Sequence, residues 1–122
     1  MNVTIVVGGG AAGLISAYFS AKNGDKVVLI EKNEKLGKKL YITGKGRCNV
    51  TNDCDEREFL ENVVTNPKFL TSAVYKFPPS EFYKFLNEKV PLKIERGNRV
   101  FPLSDKASDI TACLEKYCKQ AG

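Results

Sequence analysis

Val3-Thr4-Ile5-Val6-Val7-Gly8-Gly9-Gly10-Ala11-Ala12-Gly13 carries the strongest structural signal in the chain. A run rich in β-branched residues leads directly into three glycines, and a small-residue segment with helical patterning follows. A second apolar run, Lys26 to Ile30, ends at the carboxylate of Glu31, close to the spacing of about 20 residues expected for a ribose-binding acid. Strand, glycine turn, helix, strand and acid in this order predict a βαβ unit that binds a dinucleotide.

The glycines of such a turn have distinct physical roles. Gly8 allows a sharp turn off the strand, Gly10 lets the backbone approach a pyrophosphate, and Gly13 lets the helix lie close to the sheet. The phosphates would face the free N–H groups and the positive dipole end of the helix that begins near Ala11. Glu31 is placed to accept hydrogen bonds from a ribose diol, and because its charge repels a 2′-phosphate we expect an adenosine without one.

Length and composition indicate one soluble globular domain. The chain has 122 residues, of which 43% are hydrophobic and 27% charged, which argues against disorder. No stretch approaches the roughly 18 apolar residues of a membrane-spanning helix. Met1-Asn2 lacks the basic start of a signal peptide, and Val3 to Val7 is too short for its apolar region. We therefore predict a cytoplasmic protein with no membrane partner.

Positive charge is concentrated near the start of the chain. The net charge is +5, and residues 1–47 hold eight Lys and Arg against three acidic residues, whereas residues 48–122 hold eleven of each sign. The excess lies mostly between Lys32 and Arg47, where a cationic loop would attract an anionic cofactor. A nucleic acid also fits the charge, but Tyr41 is the only base-stacking aromatic in this loop, which disfavours that partner. A solvated lysine-rich loop is the plain alternative.

The cysteines do not predict a metal or redox centre. The chain has no histidine, and its four cysteines match neither a secreted disulfide framework nor the CxxC pairs of zinc sites: Cys48, Cys54, Cys113 and Cys118. We predict reduced thiols and no metal ligand. Cys48 lacks the histidine partner of a thiolate nucleophile and stands too far from Cys54 for a CxxC redox pair. The identity of any catalytic residue stays unknown.

Local patterning predicts a long irregular segment between helices. The first helix spans residues 11–22 and ends at Asn23-Gly24. Regular periodicity stops after Glu31, and residues 33–55 form one irregular segment. Helical patterning returns at residues 56–64 and again after Asn66-Pro67, where asparagine is the predicted N-cap and proline the first helical residue.

Two further helices flank a predicted hairpin. Ser80 is the expected cap of a helix that turns Phe82, Phe85 and Leu86 toward the core. The hairpin has strands at residues 92–95 and 99–102 around Arg96-Gly97-Asn98, and Pro102 either ends it or keeps it at an edge. Ser104 is the expected start of the last helix. Its apolar stripe comprises Ile110, Cys113, Leu114, Tyr117 and Cys118.

The irregular segment contains a second motif, Gly37-Lys38-Lys39-Leu40-Tyr41-Ile42-Thr43-Gly44-Lys45-Gly46-Arg47-Cys48-Asn49-Val50-Thr51-Asn52. Gly44 and Gly46 permit unusual backbone angles and close approach to a flat ligand. Arg47 supplies a permanent cation, and the Thr and Asn side chains supply hydrogen bonds. The motif is not a P-loop, because no G-x-x-x-x-G-K-[ST] fits through it. From these residues alone, a surface loop without a binding role is also an open interpretation.

Together with the glycine-rich start at residues 8–14 and Glu31-Lys32-Asn33, this motif closely resembles a family of bacterial NAD(P)/FAD-dependent oxidoreductases. The family includes proteins known as aminoacetone oxidases and bile-acid-intermediate reductases. Arg99-Val100-Phe101-Pro102, with Ser104 and Lys106-Ala107, is similar to the family's hairpin end, so the resemblance covers nearly all of the chain. It implies an α/β fold that is the N-terminal part of a Rossmann-like FAD/NAD(P)-binding domain in ββα layers.

The resemblance also implies a longer polypeptide. Two parallel strands plus a small hairpin make an incomplete parallel sheet, because a doubly wound fold needs several parallel strands. Residues 1–31 would be the dinucleotide motif, residues 32–55 a flavin-contacting loop, and residues 56–122 the helices with a hairpin near 92–102. The remainder of the same polypeptide, with the rest of the domain and the substrate domain, is then the expected partner.

The resemblance implies three groups of FAD-binding residues. The pyrophosphate group comprises Gly8, Gly10, Ala11, Ala12 and Gly13. The adenosine ribose group comprises Glu31 and Lys32. The path from pyrophosphate to flavin comprises Lys38, Lys39, Thr43, Gly44, Gly46, Arg47, Cys48 and Asn49. Arg47 either faces the N1 and O2 edge of the flavin, where a cation raises the reduction potential of the flavin, or pins the loop through a carboxylate, which is the interpretation we prefer.

The sequence thus predicts the FAD-binding segment of a flavin-dependent oxidoreductase that transfers hydride through FAD. NAD(P)H is a candidate electron donor, and the small-molecule substrate is unknown. The segment alone is expected to be inactive. Two alternatives stay open: a noncatalytic nucleotide or flavin module that associates with RNA through the Lys32 to Arg47 loop, and an NAD-binding domain that uses Glu31 on the NAD ribose.

Overall fold

The computed structural model describes residues 1–122, and the chain divides into two compact units. The first unit combines residues 1–48 with residues 106–122, and the second consists of residues 49–105. The first contains the dinucleotide motif, and the second contains the hairpin.

The first unit begins with the predicted βαβ arrangement. Strand β1 (Val3–Val7) pairs in parallel with strand β2 (Lys26–Ile30), and helix α1 (Ala11–Lys22) connects them. The register sets Val3 opposite Lys26 and Val7 opposite Ile30, so both strands end at the same edge of the sheet. Small residues at the start of α1 let its backbone lie close to the strands. The predicted Rossmann-like core and the bounds of the first helix are confirmed.

Helix α6 (Ala107–Ala121) closes the first unit by packing against α1. The rings of Tyr18 and Tyr117 meet edge to face with their centroids 5.3 Å apart. The thiol of Cys118 donates a hydrogen bond to the backbone oxygen of Leu14 at 3.2 Å. The fully or nearly buried apolar side chains of this unit are Leu14, Ala17, Cys48, Ala107, Ile110, Cys113, Leu114 and Tyr117. The apolar stripe expected on the last helix is therefore confirmed, with Cys118 half-buried at its margin.

One face of the β1–β2 sheet is apolar and uncovered. Val6 and Leu29, on the face toward α1, are half-buried, whereas the alternate side chains point away from it. The exposed fractions of those side chains are Val3 65%, Ile5 62%, Val7 83%, Val28 44% and Ile30 51%. Parallel sheets are normally covered on both faces. The exposed face thus fits the predicted incomplete sheet.

The segment after Glu31 contains more regular structure than predicted. Helix α2 (Lys38–Ile42) follows Gly37, and a short 3-10 stretch occupies Thr43–Gly46. Strand β3 (Thr51–Asn52) comes next. The expectation of one irregular segment over residues 33–55 was wrong because these elements are too short to show a periodic apolar pattern.

The second unit is a small antiparallel sheet with three helices. Strands β4 (Leu92–Glu95) and β5 (Arg99–Pro102) form the predicted hairpin, and β3 pairs with the other side of β5. The sheet order is therefore β3-β5-β4. Strand β3 pairs only with Val100 and Arg99 of β5. Pro102 lies beyond these two residues and is the last residue of β5, the central strand of the sheet.

The helices of the second unit are shorter or start elsewhere than predicted. Helix α3 (Glu56–Glu61) ends before residue 64, and its cap is Asp55, whose carboxylate accepts a hydrogen bond from Glu58 N at 2.8 Å. Helix α4 (Pro67–Lys76) begins at Pro67 as expected, but the left-handed Asn66 makes no side-chain cap bond. Helix α5 (Pro79–Asn87) starts at Pro79, so the expected cap at Ser80 was wrong.

The last helix also starts later than expected. Helix α6 begins at Ala107 after Lys106, whereas Ser104 lies in the preceding turn. In both α5 and α6 a serine near a helix start is a plausible N-cap by residue type. Backbone geometry, which the residue type does not reveal, puts the cap at Pro78 in one case and Lys106 in the other.

All four cysteines are free thiols, as predicted. No group of three or more His, Cys, Asp or Glu side chains is arranged to hold a metal ion. No helix has the length and apolar character needed to cross a membrane.

Candidate functional site

The glycine turn between β1 and α1 places small residues around the start of the helix. Gly8 has a φ of +101°, which L side chains rarely adopt, and its N–H donates to the Ile30 oxygen at 2.7 Å. A Cβ on Gly13 would fall on the Gly8 carbonyl oxygen, so only glycine lets the helix approach the turn. A Cβ on Gly10 would meet nothing within 4 Å, so open space lies beside its backbone.

The N-terminus of α1 is uncapped and carries no acidic residue. Gly10 is its N-cap residue with extended backbone angles, and no side chain bonds the first-turn N–H groups. The first intrahelical bond runs from Leu14 N to Gly10 O at 2.9 Å. Ala11 and Ala12 are exposed. Free N–H donors and a positive dipole end over open space form a surface that favours an anion.

Glu31, at the end of β2, is held by three donors. Its Oε1 accepts from Gly9 N at 2.9 Å, and its Oε2 accepts from Asn33 N at 2.7 Å and Asn33 Nδ2 at 3.0 Å. The backbone donors of Asn33 and Gly9 hold the pKa of Glu31 below its ordinary value. Because an ionised carboxylate has about four lone-pair positions, one acceptor position is left for a hydroxyl group.

The loop after Glu31 also contacts Gly9. The N–H of Gly37 donates to the Gly9 oxygen at 2.7 Å. Leu36 Cδ2 lies against the Cα of Gly9, with Leu29 Cδ2 and Glu31 Cβ close by, so a side chain at this position would require Leu36 to move. Gly9 is buried and has both backbone polar groups bonded to this loop. The glycine turn and the loop over residues 31–37 are therefore one interlocked structure.

The second motif is a tightly wound turn with several left-handed residues. Gly44, Lys45, Gly46 and Cys48 all have positive φ. Arg47 N donates to Gly44 O at 3.2 Å, and Cys48 N donates to Thr43 O at 3.0 Å. Thr43 Oγ1 donates to Leu40 O at 3.1 Å. The turn is thus held by its own backbone, with a non-glycine left-handed residue at two positions.

The side chains of this motif differ in exposure. Lys38, Lys39 and Lys45 are exposed, as is Lys32, while Arg47 is half-buried. Cys48 has no exposed surface, and burial raises the pKa of its thiol, with a hydrogen bond involving the Thr43 side chain acting in the opposite direction. The buried Cys48 thiol is consequently a packing group within its unit.

Asn49 belongs to the second unit. With its amide nitrogen oriented toward two carbonyl groups, it donates to Thr51 O at 2.9 Å and Val100 O at 3.1 Å. Its side chain thus serves the small antiparallel sheet. The other predicted FAD-binding residues all lie in the first unit.

An open groove of about 590 Å³ runs along α1, β2 and α6. Its lining includes Glu31 and Asn33 together with Ala17 and Ala21 of α1 and Val27 of β2. None of residues 8–13 lines it, so the groove follows the side of α1 and not its N-terminus.

Sequence reasoning missed three residues that shape this site: Gly9, Asn33 and Gly37. Gly9 occupies a position that the G-x-G-x-x-G pattern leaves open. An asparagine two residues after a carboxylate at a strand end is a signal for a local turn, because Asn side chains readily bond nearby backbone or side-chain groups. The bond between Gly37 and Gly9 has no local signal, since it joins segments distant in sequence.

Comparison with known proteins places these features in context. The family model described as HI0933-like protein Rossmann domain matches residues 2–122. The 3-dehydro-bile acid delta(4,6)-reductase of Clostridium scindens is 32% identical over 117 residues, which are 94% of this chain and 28% of that protein. The ribosomal RNA dihydrouridine synthase of Escherichia coli is 34% identical over 117 residues, 95% of this chain and 28% of that protein.

A second ribosomal RNA dihydrouridine synthase, from Haemophilus influenzae, is 29% identical over 119 residues, 97% of this chain and 29% of that protein. The crystal structure of Thermovibrio ammonificans THI4 superposes with a TM-score of 0.59 at 20% identity, covering 99% of this chain and 35% of that one. The likeness to THI4 supports the Rossmann-like fold alone. The chain spans between a quarter and a third of the length of the curated relatives it matches.

Proposed function

The chain belongs to the HI0933-like Rossmann domain family, and from that premise we propose that it holds the adenosine diphosphate half of FAD in a flavin-dependent oxidoreductase. The observation that carries the proposal is the hydrogen bond of 2.9 Å from Gly9 N to Glu31 Oε1. It joins a carboxylate placed to bind a ribose to the glycine turn that precedes the uncapped N-terminus of α1. Bound FAD would supply hydride chemistry, and the protein would supply position and electrostatics.

The residues present fit such a cofactor at both of its polar parts. Open space beside Gly10 and the donors of Ala11, Ala12 and Gly13 suit a pyrophosphate. The remaining acceptor position of Glu31 suits a ribose hydroxyl, and its negative charge opposes a 2′-phosphate. The exposed cations Lys32, Lys38 and Lys39 raise the local concentration of an anionic ligand.

The flavin end and the reaction are assigned from the resemblance alone. We propose that the turn over Thr43, Gly44, Gly46 and Arg47 lies along the path toward the isoalloxazine ring, with NAD(P)H as candidate electron donor. No residue of this chain is assigned as catalytic. The substrate is left open, because the two kinds of curated relative carry different names, one a bile-acid reductase and one an RNA-modifying enzyme.

The remainder of the polypeptide is the partner we propose for the uncovered sheet face. Val3, Ile5 and Val7 give β1 an apolar surface that water would otherwise meet. The curated relatives are far longer than this chain, so their sequences contain ample segments to cover such a face.

The cofactor proposal is tested by the absorbance spectrum of the purified full-length protein. The near-ultraviolet and visible absorption bands of an oxidised flavin, with release of FAD rather than FMN on denaturation, are the expected result. Gly10→Ala, which blocks the pyrophosphate approach, should yield mostly colourless protein, and Lys22→Ala at the far end of α1 should behave as wild type. A colourless wild-type protein that also fails to reconstitute with FAD but binds NAD would favour the NAD-binding alternative instead.

RNA is the second candidate ligand, because two curated relatives are ribosomal RNA dihydrouridine synthases and the exposed lysines face solvent. If the loop contacts phosphates, affinity for a ribosomal RNA segment should fall steeply as salt rises. Replacing Lys38 and Lys39 together by Glu should weaken it, whereas Lys22→Glu should not. Salt-independent binding, or equal effects of the two charge reversals, would reject this use of the loop.

A further inference from the structure

Asn33 makes two hydrogen bonds to the same carboxylate oxygen. Its backbone N–H and its Nδ2 both donate to Oε2 of Glu31, at 2.7 and 3.0 Å. Two donors on one oxygen fix the position of that oxygen, and the Gly9 N–H on the other oxygen fixes the rotation of the carboxylate. Asn33 therefore sets the orientation of Glu31 together with Gly9.

That rotation aims the other oxygen at the glycine turn. Oε1 of Glu31 lies 2.9 Å from Gly9 N. Gly9 is the residue between the turn glycine Gly8 and the phosphate-facing Gly10. Loss of the Asn33 side-chain bond would leave one backbone N–H on each oxygen, so the carboxylate would be held less firmly and the acceptor position that faces a ribose would be less well fixed.

On these contacts, and resting on the proposed dinucleotide function, we propose that Asn33 is a positioning residue for the adenosine end of the cofactor. It does not touch the cofactor. It holds the Glu31 carboxylate so that one oxygen accepts the hydrogen bond from Gly9 N while one acceptor position stays open to the ribose. The dinucleotide-binding motif of glycines and Glu31 thus gains one further residue, the amide side chain of Asn33, two positions after the acid.

An isosteric variant tests this role in the full-length protein. Asn33→Asp replaces the donating amide, whose nitrogen lies 3.0 Å from Oε2, by an oxygen, so two carboxylates face each other and repel. At pH 8 we expect affinity for FAD to fall about tenfold or more, as when a hydrogen bond to a charged group is lost. As the pH falls toward 5 the two carboxylates begin to share one proton, which restores a donor. Affinity should then recover toward that of wild type.

Two matched variants separate positioning from packing. Asn33→Ala should lose affinity by a similar factor but without any recovery at low pH. The other charged groups near Glu31 are the adjacent Lys32 and, along the same groove, Glu34, Glu115 and Lys119. When Glu34→Gln is added to Asn33→Asp, the affinity for FAD should still recover at low pH. That result would assign the recovery to Glu31 and the carboxylate introduced at position 33.

Titrations with FAD, NAD and ADP distinguish failure of this inference from failure of the cofactor proposal. ADP carries the ribose and diphosphate that both dinucleotides share. If wild type binds NAD or ADP but not FAD, the FAD proposal fails, and the pH recovery measured with the bound ligand still decides the role of Asn33. Unchanged affinity in Asn33→Asp, or a loss that is equal at pH 5 and pH 8, would overturn the inference. So would a wild-type protein that binds none of the three.

Discussion

The backbone N–H of Gly9 donates to Oε1 of Glu31 at 2.9 Å, across 22 positions of sequence. The bond joins the turn after the first strand to the end of the second. The parts of the motif that we propose face the pyrophosphate and the ribose are thereby one structure before any ligand binds, which reduces the ordering that binding would require.

Glu31 should stabilise the fold above the ordinary glutamate pKa and lose that effect in acid. Backbone donors lower its pKa in the folded state, so its contribution is fully present above about pH 4.3, its ordinary value. The contribution is lost as the pH falls through the lowered value. Urea unfolding of wild type and Glu31→Gln at pH 7 and pH 3 should show a less stable variant at pH 7 and a smaller difference at pH 3. A difference that does not change with pH would contradict this role.

Gly10→Ala and Gly13→Ala should separate binding from folding. A Cβ on Gly10 meets no protein atom within 4 Å and its φ of −82° suits alanine, so stability should stay within about 0.5 kcal/mol of wild type. FAD retention should nevertheless drop, because the methyl group would occupy the space through which we propose the pyrophosphate approaches. A Cβ on Gly13 overlaps the Gly8 oxygen, so this variant should lose about 1–3 kcal/mol or more of unfolding free energy. Thermal melts beside flavin content measure both effects, and equal behaviour of the two variants would refute the distinction.

Cysteine reactivity should follow burial. Cys48 and Cys113 are buried, whereas Cys54 and Cys118 are half-exposed. Desolvation raises the pKa of Cys48, Cys54 and Cys118, so even the accessible thiols should react more slowly at pH 7 than a free cysteine. Labelling with a thiol reagent should modify Cys54 and Cys118 first, and all four only after unfolding. Rapid native labelling of Cys48 would show that its buried position is wrong.

A charge on the uncovered sheet face should be costly in the full-length protein. Ile5 is 62% exposed in this chain, but a segment that covers the face would bury Lys at that position without a partner. Ile5→Lys should then lose roughly 2 kcal/mol or more of unfolding free energy. Val64→Lys is the control, because Val64 is 99% exposed and lies outside the sheet, between two helices. If Ile5→Lys proves as harmless as the control, the face is not covered by the rest of the polypeptide.

Sequence patterns were reliable where the signal is local and strong. The first helix and both hairpin strands have the predicted bounds because periodicity, Asn23-Gly24 and Arg96-Gly97-Asn98 act within a few residues. The helix starts expected at Ser80 and Ser104 were wrong because several residue types suit a cap, and backbone geometry selects among them. Helix α2 was not predicted because its five residues are too few to show the periodic apolar pattern of a helix.

The order of residues by itself determined the parallel strand pair, the glycine positions and the acid at the end of β2, because each follows from steric rules that act along the chain. Only the tertiary structure decided that Leu36 packs against Gly9, that Asn33 and Gly9 share the Glu31 carboxylate, and that Cys48 is buried. Those features depend on the distance and direction between atoms far apart in sequence, which no local pattern specifies.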